Sequence, residues 1–195
     1  MKKLLWPLVW LVLSGVSAAS PVISLNPQNS SINTGSTTTV SIDLSGGVDV
    51  FAYQFDILFT SGLLSVSQAT SGLFLSDGTG FFPGIVDDAA GSISFISDAV
   101  VGAGPGVSGN GNLASLVFTG LGGGVANLRL ANVILLDSSF ADITGVTTVG
   151  TSITVTAVNA IPAPNSALLA MTALLAAGFA ARPRRQVRAQ PTPVR

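Results

Sequence analysis

Between Val22 and Val158 apolar side chains recur at every second position in short runs, and no stretch before residue 165 repeats at helical spacing. A period of two puts successive side chains on opposite faces of an extended strand, so such a chain must bury one face of each strand and wet the other. The clearest run is Val50 to Phe59, with Phe51, Tyr53, Phe55, Ile57 and Phe59 on the core face and Ala52, Gln54 and Asp56 on the wet one. Thr37 to Leu44 repeats the logic, with Val40, Ile42 and Leu44 inward. Ser92 to Ser97 points Ile93 and Phe95 inward, Ala114 to Phe118 points Leu116 and Phe118, and Ser152 to Ala157 points Ile153, Val155 and Ala157. Turn signals separate these runs at Ser45-Gly46-Gly47, Asp77 to Gly80, Gly102 to Gly111 and Gly120 to Gly124. Residues 126–136 do not alternate cleanly, because Asn132 interrupts the face shared by Leu128, Leu130, Ile134 and Leu136; a bulge or a strand covered on both faces would explain it. The expected fold is all-β, an antiparallel jelly-roll β-sandwich of about eight or nine strands. With no cysteine in the chain, packing alone must hold it.

The two ends read differently. Met1-Lys2-Lys3, the apolar Leu4 to Val16 and the small residues Ser17-Ala18-Ala19 make residues 1–19 a signal peptide, so residues 20–160 are expected to leave the cytoplasm as one domain. Residues 161–188 hold Pro162-Ala163-Pro164, an uncharged apolar run from Ser166 to Ala181, and the cations Arg182, Arg184, Arg185 and Arg188; residues 189–195 form a basic tail. An apolar run followed by arginines places a helix across the bilayer with the arginines in the cytoplasm. The run is short against the roughly 20 residues of a full span, which suits a transient handle better than a lasting anchor. This layout resembles a PEP-CTERM sorting signal, with Ala163 where that motif has Glu. The resemblance implies handling by an exosortase-like transpeptidase of a Gram-negative bacterium, transient inner-membrane anchoring, and delivery to the outer surface or extracellular matrix. The alternative is an ordinary C-terminal transmembrane helix.

Charge narrows the function. Between the two ends Arg129 is the only cation against nine aspartates, a formal charge of −8 that repels nucleic acid and anionic lipid and attracts cations or a basic partner. The chain has neither His, Cys nor Glu, and so lacks the usual general bases, thiol nucleophiles and transition-metal ligands. A serine triad without His has lost its proton shuttle, and adjacent carboxylates such as Asp87 and Asp88 diverge on an extended backbone instead of facing each other as glycosidase pairs do. No catalytic residue and no cofactor is expected. Two features remain as candidate sites. Asp77, Asp87 and Asp88 could supply oxygen ligands to weakly held Ca²⁺, or could be solvated turn residues. Phe81 and Phe82 could offer an exposed platform to a sugar ring or a protein, or could plug one end of the sandwich.

Taken in order, the strands resemble those of cohesin modules. The Gly35 to Leu44 strand leads into Phe51-Ala52-Tyr53-Gln54-Phe55-Asp56-Ile57. A Gly-x-Ile-x-Phe strand is matched by Gly91, Ile93 and Phe95, and a Gly-x-Leu-Ala-x-Leu-x-Phe strand by Gly111, Leu113, Ala114, Leu116 and Phe118. The chain departs from the pattern at Phe59-Thr60-Ser61-Gly62-Leu63-Leu64, where cohesins commonly carry Tyr-Asp-Pro-x-x-Leu. The resemblance implies a noncatalytic, nine-stranded binding module, related in fold to some carbohydrate-binding modules, that holds a calcium-loaded helical dockerin on a flat sheet face. The expected function is therefore an exported, surface-associated module holding a dockerin-like protein or a polysaccharide. The alternatives are a structural or adhesive matrix component without a specific ligand, and an accessory or enzyme of polysaccharide degradation.

Overall fold

The computed structural model describes residues 20–75 and 80–158, and among these there are strands, turns and loops but no helix. Ten strands follow in order: β1 (Val22–Pro27), β2 (Ser31–Asn33), β3 (Thr37–Phe59), β4 (Leu64–Ser71), β5 (Ile85–Asp87), β6 (Ser92–Ala99), β7 (Val107–Gly120), β8 (Gly124–Asp137), β9 (Thr147–Val149) and β10 (Thr151–Thr156). Three-residue strands at β2, β5 and β9, too short to alternate, carry the number past the sequence expectation.

The strand that organises the fold is β3. Its first part, Thr37 to Leu44, pairs antiparallel with β1 and β7, and its second part, Val50 to Phe59, pairs antiparallel with β6 and β8. The sequence reads Ser45-Gly46-Gly47 as a turn between two strands. The structure instead keeps the strand continuous and bends it there, with register shifts at Leu44/Gly47 and Gly47/Val50 and positive φ at Gly46 (71°) and Asp49 (52°). A bulge turns a strand without reversing it, so one strand serves both layers. The first layer runs β9-β1-β3-β7-β4 and the second β5-β6-β3-β8-β10-β2. The chain closes the other side as well, since β9 pairs parallel with β1 and, one residue later, β10 pairs with β8 and β2.

The core lies between the layers. Ile23, Val40, Ile42, Leu116 and Phe118 from the first meet Phe55, Ile57, Ile93, Ile96 and Ile153 from the second, all of them fully buried. Phe118 and Phe59 meet edge to face at 5.5 Å across the layers, an arrangement that matches the ring quadrupoles. Tyr53 crosses the same gap, its hydroxyl donating to the Leu113 carbonyl at 2.5 Å. Burial, and then the charge of Asp98, push that phenol far above its ordinary pKa, so it is a permanent neutral donor. The Leu113 carbonyl also accepts the Gly72 N–H and is not orphaned if the hydroxyl goes. Tyr53→Phe is therefore expected to cost only about 1 kcal/mol, measured by denaturant unfolding.

Gly91 shows why the β5–β6 turn needs glycine. Its φ is +70°, and a Cβ there would sit 2.2 Å from the Phe59 carbonyl oxygen. The close approach lets the Phe59 N–H donate to the Gly91 carbonyl at 2.8 Å, which ties the turn to the end of β3.

Candidate functional site

The two outer faces of the sandwich differ in chemistry. The first layer turns Ser24, Asn26, Thr39, Ser41, Asp43, Asn112, Ser115 and Thr119 outward, as its register requires. Asp43 there accepts from Asn26 Nδ2 at 2.8 Å and from Asn112 Nδ2 at 2.9 Å, a polar lattice that satisfies itself. The second layer presents large apolar groups to solvent instead. Phe82 (45% exposed), Ile85 (61%), Phe95 (53%) and Ile134 (43%) share its outer face and β5 edge. Between Ile134 and Ser97 lies a hollow of about 300 Å³, lined also by Ala52, Gln54, Ala99 and Leu136. These exposed side chains, with Gln54 and Ser97 between Ile134 and Phe82, make the outer face of this sheet a candidate interaction surface.

Two of these residues reach the surface through bulges that the alternation rule does not foresee. In β6 the register steps from Phe55↔Ile96 to Ile57↔Ile93, which places one extra residue on β6. Ile96 takes the inward position expected of Phe95, and Phe95 stands outward with φ 63°. In β8 the register steps from Gln54↔Ile134 to Asp56↔Ala131, and Asn132 takes φ 49°. Leu128 and Leu130 therefore point inward below the bulge and Leu135 above it, which leaves Ile134 outside. Both bulges flank Asp56. Its Oδ1 accepts the Phe95 N–H at 2.8 Å and its Oδ2 accepts Asn132 Nδ2 at 2.6 Å. The sequence assigns Asp56 to the wet face; it is on the outer face but only 9% exposed, because the two bulges close over it. Ala157 is a smaller correction: β10 ends at Thr156, and Ala157 is exposed beyond it.

The remaining candidate residues are placed as follows. Phe81 packs half-buried against the core, whereas Phe82 bridges Ser97 and joins the apolar face. Asp88 accepts the Val66 N–H at 3.0 Å and Asp87 accepts the Ala90 N–H at 2.9 Å, so each ties down a turn. Asp77 lies outside the described residues, as do the signal segment and the sorting residues Pro162, Ala163, Pro164, Arg182, Arg184 and Arg185. Among the described residues no three acidic side chains gather in a metal-binding group.

Asp49 is an acidic group that sequence reasoning missed. At the β3 corner its carboxylate accepts the Ser138 hydroxyl at 2.6 Å and the Gly106 N–H at 2.7 Å, joining three segments. The Ser138 hydroxyl first, then the Gly106 N–H, hold its pKa below the ordinary 3.8. A depressed carboxylate contributes stability that is present above its unfolded pKa and lost as pH falls through the folded value. Asp49→Asn is thus expected to lower the melting temperature at pH 6 and to lose that difference progressively below about pH 4, toward the folded value, a comparison that calorimetry at stepped pH makes directly.

A two-layered, disulfide-free, antiparallel β-sandwich of this topology belongs to the class of jelly-roll modules. Within that class the chain belongs to the cohesin domain family, whose profile matches residues 23–155. Solved structures agree on the fold. A non-cellulosomal cohesin from the hyperthermophilic archaeon Archaeoglobus fulgidus is 17% identical over 70% of this chain and 91% of its own, with a TM-score of 0.59. The third cohesin of ScaC from Acetivibrio cellulolyticus, solved with the ScaB dockerin, is 17% identical over 70% and 99%, with a TM-score of 0.61. The OlpA cohesin of Clostridium thermocellum, solved with a dockerin, is 16% identical over 70% and 99%, also at 0.61. No curated protein sequence matches the chain.

Proposed function

We propose that this protein is an exported, surface-associated, noncatalytic cohesin module that holds a dockerin-like protein on the outer face of β5, β6, β3 and β8. The single observation that carries this reading is the contrast between the two sheets: Phe82, Ile85, Phe95 and Ile134 face solvent on one, while hydroxyls and amides dominate the other, with outward valines such as Val117 and Val149 among them. A surface that buries apolar side chains only when a partner arrives gains most of its affinity from a few such anchors. Dockerin-bound relatives share the fold. The charge of the domain favours a partner with basic groups at the rim.

Export and sorting rest on the sequence of the two ends, with the Pro162-Ala163-Pro164 segment as the handle for an exosortase-like enzyme. Calcium, in this reading, belongs to the dockerin. The deciding experiment is calorimetric titration of the exported protein with dockerin domains encoded in the same genome. At least one should bind with Kd at or below about 1 μM. If none binds while a glycan array captures the protein, the polysaccharide reading replaces this one; if neither binds, the module is a structural component of the matrix.

A further inference from the structure

Every other described aspartate accepts a hydrogen bond from a described residue. Asp142 is exposed, and no described residue donates to its carboxylate. It lines a groove of about 360 Å³ beside β8, whose walls include Ile134, Ile143 and Val146. Ile134 also borders the hollow over β3 and β6, so the groove continues the apolar face. The backbone here is fixed, because the Ile143 N–H donates to the Leu135 carbonyl at 2.8 Å and Leu136 bridges Asp142. Arg129, the only cation between the two ends of the chain, is not among the groove's lining residues.

Resting on the reading that this face receives a protein, we propose that the groove is the seat of a lysine or arginine side chain of the partner. A groove walled in part by Ile134, Ile143 and Val146, and holding a carboxylate to which no described residue donates, complements a long cationic side chain in both respects. The methylenes lie along Ile134, Ile143 and Val146, and the charged head meets Asp142. An acidic side chain would be repelled by Asp142, and a neutral amide such as glutamine would bring fewer methylenes and a hydrogen bond without charge. A domain of charge −8 also disfavours an acidic occupant on approach.

The test needs no partner. The protein, labelled for NMR, is titrated with n-butylammonium chloride and, at matched ionic strength, with n-butanol. Butylammonium should shift the methyl signals of Ile134, Ile143 and Val146, and Asp142→Asn should weaken that binding about twofold to fivefold, the range of an exposed ion pair. Binding of butanol should be the same in both proteins. The melting temperature should also be unchanged, since no described residue donates to the Asp142 carboxylate. Equal effects of the two probes, equal binding by the variant, or shifts confined to other aspartates would overturn the assignment. A groove that takes butylammonium in a protein that binds no dockerin would overturn the partner reading alone.

Discussion

Replacing Asp56 with alanine is expected to destabilise the domain by about 3 kcal/mol, because two charge-assisted hydrogen bonds, each worth about 1.5–3 kcal/mol, are lost together and are not additive. The Phe95 N–H and the Asn132 amide would be left facing a nearly closed site. Two non-glycine residues at positive φ persist only when their surroundings over-determine them, and here one carboxylate holds both. For a domain of this size the loss corresponds to a fall in melting temperature of about 10 °C. Asp56→Asn separates charge from shape. Its carbonyl can still accept the Phe95 N–H, and the Asn132 amide can turn its oxygen toward the introduced NH₂ group, so the cost should be nearer 1 kcal/mol. Equal losses for the two variants, or no loss for alanine, would show that the bulges are held by packing instead.

The same carboxylate explains where the sequence could be read and where it could not. Alternation is a two-fold rule. It places Tyr53, Phe55, Ile57, Leu116 and Phe118 inside because those stretches of β3 and β7 carry no inserted residue of their own. A single inserted residue inverts every later assignment on that strand. For that reason alternation assigns Phe95 to the core and puts Ile134 on one face with Leu130, whereas Phe95 and Ile134 both stand outside. In residues 126–136 the conflict is visible as broken periodicity, since Asn132 occupies a position where an apolar residue is due, and a bulge is one of the two explanations that the sequence offers. In β6 nothing in Ser92 to Ser97 announces the extra residue, because both Phe95 and Ile96 are apolar and either could fill the core. Ser45-Gly46-Gly47 posed a different problem: glycine pairs mark chain reversal and strand bending alike, and only the pairing of β3 with strands in both layers distinguishes them. The acidic residues were legible as charge but not as structure. Asp49, Asp87 and Asp88 bind backbone groups distant in sequence or across turns, and no spacing rule brings Asp49 to Ser138.

Those bulges bear directly on function, because they put Phe95 and Ile134 on the outer face. Phe95→Asp combined with Ile134→Asp is expected to weaken binding of a dockerin by at least about 100-fold, since an apolar anchor is lost at each position and an unpaired carboxylate would have to be desolvated in its place. Neither change should unfold the protein. Both side chains are about half exposed, and aspartate tolerates the left-handed conformation of residue 95 better than phenylalanine does. Gln68→Asp, at an exposed position on β4 in the other layer, adds the same kind of charge far from the apolar face and should leave affinity within about twofold. Comparison of the three proteins by calorimetry therefore distinguishes a local contact surface from a general effect of added negative charge. An equal loss from Gln68→Asp would point to charge alone. Undiminished binding by the double variant would move the contact surface off this sheet, because no other described part of the molecule gathers large apolar side chains on one exposed sheet face.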